Sequence, residues 1–101
     1  MNQYNLDVSY KIVNIWQTSF QVEITLKNNN SQPTSSWISQ FKLSATQKVS
    51  SSWNCLMDND ISGYVATGKS IPAFGSISYE FMVDNPYNIP EQLLMLTAYA
   101  I

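Results

Sequence analysis

Along most of this chain polar and apolar residues alternate with a period of two. The clearest run is Phe20-Gln21-Val22-Glu23-Ile24-Thr25-Leu26-Lys27, apolar at every even position and polar between them. Such a rhythm marks a strand with one face in a core and the other in water. It returns in Val8-Ser9-Tyr10-Lys11-Ile12, in Trp37-Ile38-Ser39-Gln40-Phe41-Lys42-Leu43 and in Ser76-Ile77-Ser78-Tyr79-Glu80-Phe81, with many β-branched and aromatic residues. Turn-forming clusters separate the runs, among them Asn28-Asn29-Asn30-Ser31-Gln32-Pro33, Asp58-Asn59-Asp60, Thr67-Gly68-Lys69, Pro72-Ala73-Phe74-Gly75 and Asp84-Asn85-Pro86-Tyr87-Asn88. The pattern predicts strands near 4–14, 18–28, 36–45, 47–57, 61–66, 75–84 and 91–100, with short pieces near 69–71. No helical stripe of comparable quality exists, so the expected fold is all-β, a two-sheet antiparallel β-sandwich.

The phase of each run nominates the core: Val8, Tyr10, Ile12, Phe20, Val22, Ile24, Leu26, Trp37, Phe41, Leu43, Val49, Ile77, Tyr79, Phe81, Leu93 and Met95. Leu93-Leu94-Met95-Leu96 is apolar on both faces, which predicts a central or covered strand. A length of 101 residues supports one core, hence a single domain over 1–101.

Composition narrows the partners. Charged residues make up 12% of the chain, arginine is absent and the five lysines are scattered, so no basic stripe exists to meet phosphates and nucleic acid is not an expected partner. No apolar run approaches the ~18 residues that would span a bilayer, so no membrane partner is expected, and the first residues lack the pattern of a signal peptide, so the segment reads as an excised domain. A surface of Ser, Asn, Thr and Gln suits a neutral, hydroxyl-rich ligand. Histidine is absent, the lone Cys55 has no neighbouring base and reads as a small packed hydrophobe, and metal-ligand spacing is lacking. No enzyme, cofactor or metal site is therefore expected. Asp58 and Asp60 could imitate a glycosidase pair, or with Asn59 a calcium loop, but read as solvated turn residues. Tyr87 reads as a turn residue, and Asn29-Asn30-Ser31 is a loop sequon open to glycosylation in a eukaryotic host.

The three tryptophans differ in setting. Trp37 is in phase with Phe41 and Leu43 and belongs to the core. Trp16 follows the first strand at a hairpin tip, where a large flat ring finds little core to enter. Trp53 shares the parity of Val49, so an unbroken strand would turn it inward, and the pattern alone leaves its side open.

Taken together, Val8-x-Tyr10-x-Ile12-Val13-Asn14-x-Trp16-x-x-x-Phe20, Leu26-Lys27-Asn28, Trp37, Val49-x-x-x-Trp53, Ser70-Ile71-Pro72-Ala73-x-Gly75 and Tyr79-x-Phe81 resemble the family 2 cellulose-binding modules from about residue 6 to 98. The resemblance implies a jelly-roll or Greek-key sandwich of immunoglobulin-like shape. It implies that Trp16 and Trp53 are two of three exposed coplanar tryptophans, with Trp37 buried. Asn14 matches a polar position that grips sugar hydroxyls, and three more map onto Glu23, Ser51 and Met82. Two features of the family are missing: Leu6 and Ala100 or Ile101 stand where a disulfide would join the ends, and the third tryptophan, due near Thr67, falls in a shortened segment whose nearest aromatic is Tyr64.

The implied function is non-catalytic binding of a β-1,4-glucan, cellulose foremost, with soluble glucan, xylan or chitin as drifted ligands. It would belong to a secreted protein, with fusion to a glycoside hydrolase in the full-length chain. The alternative is an adhesion or scaffold domain that binds protein through the same sandwich, which predicts scattered tryptophans. The binding reading instead expects Trp16 and Trp53 exposed on one face of one sheet, within ~25 Å.

Overall fold

Alternating burial along β3 (Ser19–Lys27) and β8 (Ser76–Asp84) sets up the molecule, because these two strands pair antiparallel over their full length. Phe20, Val22, Ile24 and Leu26 stand opposite Val83, Phe81, Tyr79 and Ile77, so one face of the pair is a continuous apolar surface. In the computed structural model, which describes residues 4–60 and 63–101, β2 (Asp7–Ile15) and β5 (Lys48–Trp53) flank them in the order β2-β3-β8-β5. A second sheet covers the apolar face. It consists of β1 (Tyr4–Asn5), β9 (Leu94–Ala100), β4 (Trp37–Lys42), β7 (Gly63–Gly68) and β6 (Leu56–Asp60), in that order.

The five-stranded sheet brings Trp37, Phe41, Ala66, Ala98 and Ala100 to the interface. Small residues on its inner face leave room for rings. Phe41 stacks on Phe81 at 4.7 Å between centroids and Trp37 on Tyr79 at 5.3 Å. Each such ring stabilises the fold by about 1.5–3 kcal/mol through the apolar surface it removes from water. Trp37 also lies flat on Gly68, where a Cβ would stand 2.3 Å from its ring, so β7 requires glycine there. Polar groups inside the sandwich are paired. Tyr79 donates to Ser39 Oγ at 2.8 Å and Ser39 donates to the Thr97 carbonyl at 3.1 Å, tying the two sheets together. The Asn28 amide accepts from Tyr4 and donates to the carbonyls of Gln32 and Pro72, pinning the 28–34 loop to the 71–75 turn. Among the described residues no buried side-chain nitrogen or oxygen lacks a partner.

Several strand boundaries differ from those the alternation predicts. The run at 4–14 splits at buried Leu6, whose amide bonds the Ala98 carbonyl as the chain passes from one sheet to the other. The run at 47–57 splits at Asn54, which takes a left-handed φ of 62° and again transfers the chain between sheets. The run at 61–66 is β7, displaced toward Gly68; positions 61 and 62 lie outside the described residues. No strand forms at 69–71, and the last strand starts at Leu94, lying between β1 and β4.

Two residues assigned to the core are not in it. Met95 is 73% exposed because a register shift opposite Gln40–Lys42, with a φ of 54° at Met95 itself, turns its side chain outward. Tyr10 has the inward phase but sits on the edge strand β2, where little covers it. Leu6, Ile71 and Val83 are buried in addition to the residues expected. Asp58 and Asp60 lie within β6, not in a turn, and the Asp58 carboxylate accepts from the Asn59 amide.

Candidate functional site

Two β-bulges decide which way the tryptophans of the four-stranded sheet face. In β5, Val49 pairs with Val83 on the inner face, but the next paired residue is Ser51, opposite Met82. Ser50 is the extra residue, and a bulge of this kind reverses the phase of everything after it. Ser52 then faces in beside Phe81, and Trp53, opposite Glu80, faces out. In β2 the register jumps between Ile12, opposite Val22, and Asn14, opposite Gln21. Val13 is the extra residue there. Asn14 consequently faces out, and Trp16, two residues on, continues in its phase with its amide bonded to the Ser19 carbonyl at 2.8 Å. Both indoles are about half exposed, 47% for Trp16 and 45% for Trp53. From β2 to β5 is three strand spacings, and from the Ser19 row to the Glu23–Glu80 row is four residues, which places the two tryptophans about 20 Å apart on a diagonal.

A line of polar side chains crosses the face between them. Asn14 Nδ2 donates to Gln21 Oε1 at 3.0 Å, and Gln21 Nε2 donates to Glu80 Oε1 at 2.9 Å. Glu23 stands directly opposite Glu80 on one side and Lys11 on the other. Two carboxylates in cross-strand register repel, and the Gln21 amide proton aimed at Glu80 offsets part of that cost. Further along, the Thr25 and Ser78 hydroxyls meet at 3.3 Å. The amides are held by neighbours on adjacent strands, so their remaining donors and acceptors point in set directions before any ligand arrives.

Of the residues nominated from sequence, Trp53, Asn14, Glu23 and Ser51 fall on this outward face, and Trp16 stands at its end, one residue past β2, with its amide bonded to the Ser19 carbonyl. Tyr64 does not. It belongs to β7 of the other sheet, stacks on Phe41 at 5.4 Å, and its hydroxyl accepts from the Val49 amide at 3.1 Å, so its ring fills the space between sheets. Gln21 and Glu80 were not nominated, although both occupy polar positions in the alternation of β3 and β8. Their importance comes from the pairing of these strands, which brings them between the tryptophans.

Two titratable groups near the core are shifted toward their neutral forms. Burial pushes the Cys55 thiol above its ordinary range, partly countered by Ser52, and burial raises the Tyr79 phenol further still. Among the described residues no three His, Cys, Asp or Glu side chains gather as metal ligands. The outward face therefore offers two flat apolar rings and a fixed row of hydrogen-bonding groups between them. This combination matches a ligand with C–H faces and hydroxyl edges, such as a chain of pyranoses.

The sequence profile described as cellulose binding domain matches residues 6–91. Endoglucanase A of Thermobispora bispora is 32% identical over 80 residues, covering 75% of this chain and 18% of that protein, so the chain spans under a fifth of the relative's length. Among solved structures, the cellulose-binding family 2 carbohydrate binding domain from ScLPMO10C superposes with a TM-score of 0.76 at 18% identity, covering 100% of both chains. The chitin-binding domain of Chi18aC from Streptomyces coelicolor superposes at 0.70 with 24% identity, covering 87% of each. At these identities the structural matches establish the shared fold.

Proposed function

The chain belongs to the cellulose binding domain family, and from that premise we propose that residues 1–101 act as one non-catalytic module that stacks Trp16 and Trp53 on the pyranose rings of a β-1,4-glucan, cellulose foremost. The observation that carries this reading is the pair of bulges that turns both indoles to one side of one sheet. A protein-binding scaffold domain has no need of that arrangement. Asn14, Gln21, Glu23, Ser51 and Glu80 meet the hydroxyls along the edge of the chain. Each indole that is fully desolvated by a sugar ring contributes about 1–3 kcal/mol. Two such contacts with a few hydrogen bonds give affinity in the micromolar range, with little dependence on salt because no ion pair is required.

The module has no hydrolytic activity of its own in this reading, and it delivers an attached glycoside hydrolase to its substrate outside the cell. Its relationship to an endoglucanase supports the attachment. Chitin is the second ligand to test, since a chitin-binding domain shares the fold.

Retention on cellulose and on chitin of the wild type, Trp16→Ala and Trp53→Ala is the direct experiment. Each single variant is expected to lose about tenfold or more in affinity. Their thermal midpoints should stay near that of the wild type, because the rings are already half in water. Unchanged retention by both variants would defeat the stacking mechanism.

A further inference from the structure

β5 ends at Trp53, opposite Glu80, whereas β8 begins four residues earlier, at Ser76. Residues 76–79 of β8 thus have β3 along one side and, among the described residues, no strand along the other. The chain turns away at Asn54, crosses to the other sheet and resumes as β6. What it leaves is a cleft of about 790 Å³ at the side of the sandwich. Its walls include Trp37, Leu56 and Ile77, and Ser70, Ser78 and Lys69 add polar groups. The size lies within the ~300–1,000 Å³ of small-molecule sites, which combine apolar walls with a few polar groups in the same way.

The cleft is continuous with the outward face. The diagonal from Trp16 to Trp53 crosses from β2 to β5 while advancing from the row of Ser19 to the row of Glu80. Past Trp53 that diagonal leaves the edge of the sheet, and the cleft opens beside this point: Asn54, the residue after Trp53, lines it, and Ser78, two residues along β8 from Glu80, stands at its margin. We propose that this cleft is a recessed subsite that takes the next pyranose of a single, free β-1,4-linked chain, and that it gives the module a preference for soluble over crystalline polysaccharide. The proposal rests on the reading that Trp16 and Trp53 carry the ligand.

The geometry explains the preference. A ring over Trp53 lies flat, and a ring entering the cleft must tip out of that plane by rotation about the glycosidic linkage. A chain free in solution makes that rotation; a chain locked in a crystal layer does not. Ile77 inside and Leu56 at the mouth face the C–H surface of the sugar. The Ser70 and Ser78 hydroxyls and the edge of β8 that no strand among the described residues covers exchange hydrogen bonds with its rim.

Titration calorimetry with soluble β-1,4-glucan oligosaccharides of increasing length, beside depletion on microcrystalline cellulose, tests this. Ser70→Trp fills the cleft, and Leu56→Ala removes a wall residue that is 76% exposed and costs the fold little. The wild type is expected to gain about fivefold in affinity once the oligosaccharide is long enough to pass Trp53. Both variants should lose that gain while their retention on crystalline cellulose stays unchanged. A gain that survives in both variants overturns the proposal, and so does a parallel loss on soluble and crystalline ligands. Trp53→Ala separates the two readings. If it loses both ligands while the cleft variants change nothing, only the cleft subsite fails. If it keeps both, the stacking mechanism fails and the cleft subsite with it.

Discussion

The two sheets use the same device to opposite ends. In the four-stranded sheet, bulges at Val13 and Ser50 turn two rigid indoles outward, with amides fixed between them. In the five-stranded sheet, the shift opposite Gln40–Lys42 turns out Met95, a flexible side chain with no exposed ring in register beside it. The rest of that outer surface includes Ile38, Gln40, Leu56, Val65, Thr67, Thr97 and Tyr99 from adjacent strands, bordered by Asp58 and Lys42. A bulge is therefore not a signature of function in itself. What distinguishes the first sheet is that its two phase reversals act together, and that the re-aimed residues are flat and stiff.

Deleting Ser50 and Ser51 together is the strongest way to break this asymmetry. It leaves Val49 and Trp53 two residues apart in an unbroken alternation, so that they share a face and keeping Val49 in the core drives Trp53 inward, whereas deleting Ser50 alone removes only the extra residue and keeps Trp53 outward opposite Glu80. Binding to cellulose should fall to the level of Trp53→Ala, and stability by about 1–3 kcal/mol in urea titration. Retention equal to the wild type would show that the bulge does not set the orientation. A smaller effect comes from Gln21→Ala, which frees both Asn14 and Glu80 and leaves the two carboxylates facing each other unrelieved. The expected loss is about threefold to tenfold in affinity for soluble glucan, on the scale of one or two hydrogen bonds.

Smaller again is a response that both sheets share, since they rest on one core. The Tyr79 phenol is raised by burial above its ordinary value of 10.0, so the folded protein keeps its proton at a pH where the unfolded chain has lost it. Stability is therefore full below about pH 10 and declines as the pH climbs beyond it. Tyr79→Phe should flatten that decline when urea midpoints are compared across the alkaline range. Met95→Ala, on the opposite sheet, should leave polysaccharide binding unchanged in the same pull-down; a measurable loss there would assign ligand contact to the wrong face.

Much of this was legible in the sequence, and the gaps have physical causes. β3 could be read residue by residue, because a strand with one buried face writes its orientation into its own alternation. Trp37 was legible for the same reason. Trp53 was not, because Val49-Ser50-Ser51-Ser52-Trp53 contains no residue type that marks a bulge, and the extra residue is visible only against Val83 and Met82 on the partner strand. Tyr64 was chosen as an aromatic near the right position in the chain, but a strand offers two faces and its own packs against Phe41. Gln21 and Glu80 needed the register of β3 on β8, a relation between segments 59 residues apart that no local pattern carries.

The ladder of β1 on β9, Tyr4 opposite Ala100 and Asn5 opposite Tyr99, brings the two ends of the chain together on the sheet away from the tryptophans. Under tension such an arrangement peels. The load falls on one backbone bond at a time, so the first strand would come away at low force while β2, β3, β8 and β5 keep their register and the indoles keep their aim. In a module gripping a surface while its ends are tugged, that short ladder would serve as the compliant part, yielding before the grip does.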